Sequence, residues 1–185
     1  MAQLGFYFDS THCIGCRTCH VACKDKNNLG VGPVFRHVFT FEGGKFPQPW
    51  VYHLSMACNH CADPACVNNC PSGAMHKNAD TGIVEVDKSK CIGCRYCMWS
   101  CPYDAIAFIE EEGKVGKCNF CSDLLAQGQN PACVDACVMR VLKFGDLDKL
   151  RQEYGDTSDM VGLPDSGITK PSLVITPKPV AVAKK

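Results

Sequence analysis

The sequence predicts an α+β fold built by duplication from small cysteine-rich modules, with a β-hairpin insertion and an extended C-terminal tail. Three observations predict it. Cysteine supplies 16 of the 185 residues, a share that marks a chain stapled by disulfides or metals. The cysteines fall into four groups of four whose spacings repeat in pairs. Between the groups lie short alternating runs bounded by Gly and Pro, which read as strands of a few residues.

Group one is Cys13, Cys16, Cys19 and Cys23, in "CIGCRTCHVAC". Group three is Cys91, Cys94, Cys97 and Cys101, in "CIGCRYCMWSC", with the same C-x2-C-x2-C-x3-C spacing. Group two (Cys58, Cys61, Cys66, Cys70) and group four (Cys118, Cys121, Cys133, Cys137) share a looser spacing, and "CNHC…DPACVNNC" is echoed by "CNFC…NPACVDAC". An internal duplication explains the echo, with an insertion in "SDLLAQGQN" lengthening group four.

The elements follow in order. The stretch "VFRHVFTFEGGKFPQPWVYHLSMAC" alternates and is rich in aromatics, so it predicts a hairpin with its turn at Gly43-Gly44. "TGIVEVDKSKC", "KVGKCNFC" and "VLKFGDL" predict short strands. "DLDKLRQEYGD" predicts a surface helix capped by Asp146 or Asp148 and ended by Gly155. "SLVITPKPVAVAKK" reads as an extended tail that lies on another element or frays.

Composition narrows the function. Lys plus Arg (19) balances Asp plus Glu (19), so no charge excess points to nucleic acid. No apolar run approaches the ~20 residues of a membrane span. "MAQLGFYFDS" has neither a basic nor an apolar leader region, so no export signal is expected in it. A disulfide scaffold needs an oxidising compartment, whereas a metal protein needs only repeated ligand spacing. The hydrophobic share of 46% counts the cysteines; without them the apolar core is thin, and a metal centre would replace the missing burial.

Soft, anionic thiolates suit iron. Three cysteines two residues apart can wrap one [4Fe-4S] cube, and in the bacterial C-x2-C-x2-C-x3-C-P run the fourth serves the other cluster of a pair. Cys91, Cys94 and Cys97 then hold one cube, and Cys101 reaches to its neighbour. Proline follows Cys70 and Cys101 and turns the chain out. Zinc is the alternative, since six C-x2-C pairs are present; tetrahedral sites built from separate pairs would leave Cys19 and Cys97 unused. Arg17 and Arg95, inside the triads, read either as cations that raise a cluster's potential or as solvated residues. His12, His20, His37, His53 and His60 read as surface or packing residues. His76 has a second reading near a cluster, and Trp50 and Trp99 read as packing residues.

The stretches "GFYFDSTHCIGCRTCHVACKDKNNL", "LSMACNHCADPACVNNCPSGAMHK", "VDKSKCIGCRYCMWSCPYDA" and "ITKPSLVI" resemble the four-cluster iron–sulfur subunit of the complex iron–sulfur molybdoenzyme family, over almost the whole length. The resemblance implies a duplicated ferredoxin-like (2x[4Fe-4S]) fold. It pairs groups one and four in a first module (residues 1–28 and 112–150) and groups two and three in a second (57–111). The hairpin insertion occupies 29–56, and the C-terminal helix and tail occupy 151–185. Carried residue by residue, it implies four [4Fe-4S] clusters: Cys13, Cys16, Cys19 and Cys137; Cys118, Cys121, Cys133 and Cys23; Cys58, Cys61, Cys66 and Cys101; Cys91, Cys94, Cys97 and Cys70. Some relatives carry tryptophan in place of a group-three cysteine and hold three irons there; Cys94 is intact here. Val138 follows Cys137 where proline is frequent in the family.

The family also implies partners: a large catalytic subunit holding molybdopterin (Mo or W), and often a membrane anchor that exchanges electrons with quinol. The group-one cluster would face the catalytic subunit and the group-three cluster the quinone side. No convergent acids, bases or Gly-rich cofactor loop mark a catalytic site in this sequence. A freestanding soluble polyferredoxin is the alternative, disfavoured by the hairpin and tail, which exceed a minimal ferredoxin. The location expected is cytoplasmic, or at the membrane periphery after export with a twin-arginine partner.

Overall fold

The computed structural model describes residues 3–182. The chain runs β1 (Leu4–Asp9), α1 (Thr18–Lys26), β2 (Arg36–Lys45), β3 (Gln48–Ala57), α2 (Ala65–Asn68), β4 (Met75–Lys77) and β5 (Val84–Val86). It continues through α3 (Tyr96–Ser100), β6 (Ile106–Ile109), β7 (Lys114–Lys117), α4 (Ser122–Leu125), α5 (Ala132–Asp135), β8 (Leu142–Asp146), α6 (Leu147–Tyr154) and β9 (Leu173–Thr176). The sheets are small: a three-stranded β8-β1-β9 sheet and three two-stranded hairpins, β2-β3, β4-β5 and β6-β7.

The duplication is visible in the backbone. Gly15 and Gly93, at matched places in the two tight loops, have φ of 68° and 70°, and Arg17 and Arg95 follow at 61° and 62°. These left-handed residues curl each loop before α1 and α3 begin. A side chain at Gly15 would meet the His53 ring at 2.5 Å, and one at Gly93 would meet the Gly113 carbonyl at 2.4 Å, so the loops close only with glycine. α3 stops at Ser100 because Cys101 is extended (ψ 110°) ahead of Pro102. α1 continues past Cys23, and the Asn27 side chain donates to the Cys23 carbonyl at 2.8 Å.

α1 packs against α5, and α2 against α3. Each contact joins two cysteine groups separated in sequence. The main core gathers Phe6, Phe8, Tyr52, Leu54, Phe120 and Ile175 with buried cysteines, and Phe6 stacks on Phe120 at 4.1 Å between centroids. A second core of Met75, Val84, Ile106 and Val115 includes Cys66 and Cys97. A third, around Tyr7, Leu147, Leu150 and Val174, contains no cysteine.

One sequence expectation changes. The β2-β3 ladder pairs Lys45 with Gln48, which puts the turn at Phe46-Pro47 rather than Gly43-Gly44. Gly43 instead faces Trp50, whose ring lies 2.4 Å from where a Cβ would stand. The predicted surface helix is α6, capped by Asp146, whose carboxylate accepts from the Lys149 N–H at 3.2 Å; it straddles the boundary drawn at residue 150. Of the two expectations for the tail, the structure bears out the first, that it lies on another element: β9 pairs parallel with β1, and Leu173, Val174 and Ile175 are buried. Residues 183–185 of that tail lie outside the described residues.

Candidate metal centres

The thiols converge in four places, each drawing three cysteines from one group and one from another. Cys13, Cys16, Cys19 and Cys137 line a small cavity with Phe8, Val38 and Leu142. This is the first outer site. Cys58, Cys61, Cys66 and Cys101 line another, the first inner site. Cys70, Cys91, Cys94 and Cys97 line a third, the second inner site. Cys23, Cys118, Cys121 and Cys133 lie within electrostatic reach of one another and are all buried, forming the second outer site.

The sites form a file. Cys19 of the first outer site lies within electrostatic reach of Cys133 of the second. Cys118 of the second outer site lies within electrostatic reach of Cys58 of the first inner site, and the α2-α3 contact joins the two inner sites. At one end Cys16 is exposed and Cys13 partly so; at the other, Cys70, Cys91 and Cys94 are partly exposed. Every thiol of the two middle sites is buried except Cys101, which is partly exposed.

Polar donors point at the sulfurs. The N–H groups of His60 and Phe120, at matched positions of the duplication, reach Cys58 and Cys118 at 3.4 Å each. Thr18 donates to Cys16 at 3.3 Å, Thr169 to Cys61 at 3.2 Å, and the Met75 N–H to Cys70 at 3.4 Å. The Ser55 hydroxyl lies 3.3 Å from Cys19. Burial, the largest influence, pushes the thiols of Cys23 and Cys66 up to about 12 and those of Cys61 and Cys97 up to about 11. Cys118 is raised as well, by burial first. Such thiols lose their protons only to strong cations at the site. At the exposed end, the Thr18 hydroxyl instead lowers Cys16.

The donor set fits iron–sulfur clusters. Among the described residues no three His, Cys, Asp or Glu side chains close on a point that could hold a single ion. At three of the sites the thiols line a cavity instead, which suits a bulkier guest with several metal atoms.

Residues singled out beside the cysteines fall elsewhere. His60 is buried, and its Nδ1 accepts from the Val84 N–H at 3.0 Å; burial holds the ring neutral. His76 is half-exposed, 3.9 Å from Glu85. Arg95 lies over the Phe108 ring at 3.6 Å. Trp99 is 76% exposed and touches Tyr96 edge-on, so it is a surface residue and not the packing residue expected. Four polar residues near the sulfurs are not evident from the sequence. The Ser55 and Thr169 hydroxyls lie against the sulfurs of Cys19 and Cys61. Lys117 is buried and hydrogen-bonds the Val84 and Cys118 carbonyls. Arg36 is buried beside the outer sites. Only Arg36 left a signal, since the alternation of β2 places it on the inward face with Val38.

Two 4Fe-4S dicluster domain families match the sequence, one over residues 49–147 and one over residues 12–74. The protein is 47% identical over 190 residues to the B subunit of the anaerobic dimethyl sulfoxide reductase of Haemophilus influenzae, covering 98% of this sequence and 92% of that one. It is 45% identical over 183 residues to the subunit of the same name in Escherichia coli K12, covering 95% and 89%. It is 42% identical over 144 residues to the thiosulfate reductase electron transfer subunit of Salmonella typhi, covering 76% and 74%. The dicluster matches take in all sixteen cysteines and the dimethyl sulfoxide reductase relatives span nearly the whole length, so this protein belongs to the 4Fe-4S dicluster family, among the iron–sulfur B subunits of the anaerobic dimethyl sulfoxide reductase type.

Proposed function

We propose that the protein is a four-cluster electron wire that serves a separate catalytic subunit. The observation that carries this is the file of four cysteine sites, open at both ends and buried between. A bound cluster supplies one-electron chemistry at each site. The protein's own residues set the spacing, exclude water from the middle of the file, and aim N–H and hydroxyl donors at the sulfurs. The ligand sets proposed are those that line each site: Cys13, Cys16, Cys19 and Cys137; Cys23, Cys118, Cys121 and Cys133; Cys58, Cys61, Cys66 and Cys101; Cys70, Cys91, Cys94 and Cys97.

Exposed apolar side chains support docking at the ends. Ile14, Val21 and Val138 are exposed beside cysteines of the first outer site, and Ile92, Tyr96 and Trp99 beside those of the second inner one. The tip of the β2-β3 hairpin adds Phe46, which is 96% exposed, and Trp50. Apolar surface gathered in this way marks interfaces. The catalytic partner proposed is a large molybdopterin subunit. The relatives are subunits of dimethyl sulfoxide and thiosulfate reductases, so its substrate class is a small oxidised sulfur compound. Among the described residues no helix is long and apolar enough to cross a membrane; a separate anchor subunit would link the second inner site to quinol. The location proposed is the membrane periphery, reached in complex with the catalytic partner.

Purification from native membranes without oxygen tests the reading. The protein should co-purify with a molybdopterin protein and carry about sixteen irons and about sixteen acid-labile sulfides. Stoichiometric zinc with little iron would remove the wire, and an iron-loaded monomer without a partner would favour the freestanding polyferredoxin.

A further inference from the structure

Arg36 stands at the start of β2, only 2% exposed. Its Nη1 donates to the Ser55 carbonyl at 3.3 Å and the Ser55 hydroxyl at 3.1 Å, and its guanidinium lies 4.8 Å from the Phe6 ring centre. Nη2 is buried with no hydrogen-bond partner. Among the described residues no carboxylate lies within ion-pair distance of it. A guanidinium does not lose its proton in a protein, and a buried charge without a partner is strongly unfavourable. Within its electrostatic reach lie the sulfurs of Cys133, Cys19, Cys118 and Cys23, and Ser55 bridges it to Cys19. Three of these sulfurs belong to the second outer site and one to the first.

We infer that Arg36 is the counter-charge of the outer cluster pair and sets its reduction potential, acting most on the site of Cys23, Cys118, Cys121 and Cys133. The inference rests on the four-cluster reading above. Each electron that enters a site adds one negative charge within a thiolate cage. In a medium of low permittivity, a fixed cation nearby stabilises the reduced state more than the oxidised one, and cluster net charge, hydrogen bonding and exposure set cluster potentials. Ser55 extends the effect to the first outer site, because its hydroxyl meets both Arg36 and the sulfur of Cys19. Arg36 therefore makes the second position of the file an easier place for an electron to rest than its four thiolates alone would allow. Arg17 and Arg95 are less buried and act through solvent, where screening weakens them.

The test uses the complete protein, purified without oxygen, with iron assay and EPR-monitored redox titration. Arg36→Met removes the charge and keeps a long side chain; Arg36→Lys keeps the charge. The signal of the second outer site is assigned by its loss in Cys133→Ser. In a loaded Arg36→Met protein, that signal should shift to lower potential, so that the oxidised-to-reduced ratio at a fixed poise rises about tenfold or more, about 59 mV for a one-electron couple. The inner-site signals should stay in place, and Arg36→Lys should remain within about threefold of the wild type. A loaded Arg36→Met protein with unmoved potentials overturns the inference, as does an Arg36→Lys protein that shifts as far as Arg36→Met. If Arg36→Met fails to hold iron, the lysine variant decides. Full loading at wild-type potentials supports the counter-charge, and equal depletion overturns it. Absence of cubane signals in the wild type overturns the four-cluster reading itself, and shows before any variant is made.

Discussion

Cys70→Ser probes the crossed arrangement of the inner sites. Cys70 ends group two, yet it lines the cavity of Cys91, Cys94 and Cys97. Burial alone would raise its thiol, but the Met75 N–H at 3.4 Å and the Ser72 hydroxyl at 3.8 Å together bring it below the ordinary cysteine value. Its sulfur lines the cavity of the group-three triad and not that of Cys58, Cys61 and Cys66. Serine keeps these contacts and most of the volume, while its hydroxyl stays protonated and is a poor ligand for iron. Cys70 is only partly buried, so the packing cost is small, about 1 kcal/mol or less. The iron loss should be confined to one cluster, about one to four of about sixteen irons. The assay is iron content with EPR, using Cys94→Ser and Cys61→Ser as reference spectra. Cys70→Ser should lose or alter the signal that Cys94→Ser loses. If it loses the Cys61→Ser signal instead, ligation is local and the crossed arrangement is wrong.

Three further outcomes are expected. Removing iron with a chelator should speed amide hydrogen exchange in β4 to β7, whose core includes Cys66 and Cys97, well before α6, whose buried face lies in a core without cysteine; uniform loss of protection would count against this. Thr169→Val deletes the hydroxyl that donates to Cys61 at 3.2 Å; a hydrogen bond to a charged acceptor contributes about 1.5–3 kcal/mol, so iron release from the first inner site should accelerate about tenfold or more, and an unchanged rate would exclude the role. Asp9 is raised by burial, but hydrogen bonds from Thr11 and His12 outweigh this and leave it below the usual carboxylate range. Its contribution is therefore present above that range and lost as pH falls through the folded value: Asp9→Asn should cost up to about 1 kcal/mol at neutral pH and nothing at acid pH, measured as resistance to urea.

The candidate metal sites were legible because their thiols belong to a rare residue at fixed intervals, and a duplicated interval hardly arises by chance. The short strands and α6 were legible for the same reason of local pattern: Asp146 and Gly155 bracket α6 in the sequence as they do in the fold. What was not legible depends on contacts distant in sequence. Gly43-Gly44 has the composition of a turn, but the glycines clear space for Trp50 across the hairpin. The tail reads as a weak apolar run until β1 supplies its hydrogen bonds. Thr169 lies 108 residues from the Cys61 sulfur it meets, and no local spacing announces such a pair. Arg36 carries a periodicity signal, since it shares a face with Val38, but in sequence an arginine on a strand reads first as solvent-facing.

The joining of group one to group four has a consequence for the order of synthesis. The inner ligands, Cys58 to Cys101, are enclosed between Cys23 and Cys118, like inner brackets within outer ones. As the polypeptide grows from its N-terminus, the triad of Cys13, Cys16 and Cys19 emerges first and waits longest, for Cys137 lies 118 residues beyond Cys19 and β9 comes later still. The eight inner thiols are complete once Cys101 is out. A pulse-chase measurement of iron incorporation should accordingly find the inner sites filled on nascent polypeptides and the first outer site filled only on longer ones. The earliest cysteines made are the last to be enclosed, so of the sixteen they stand unprotected from oxidants for the longest time.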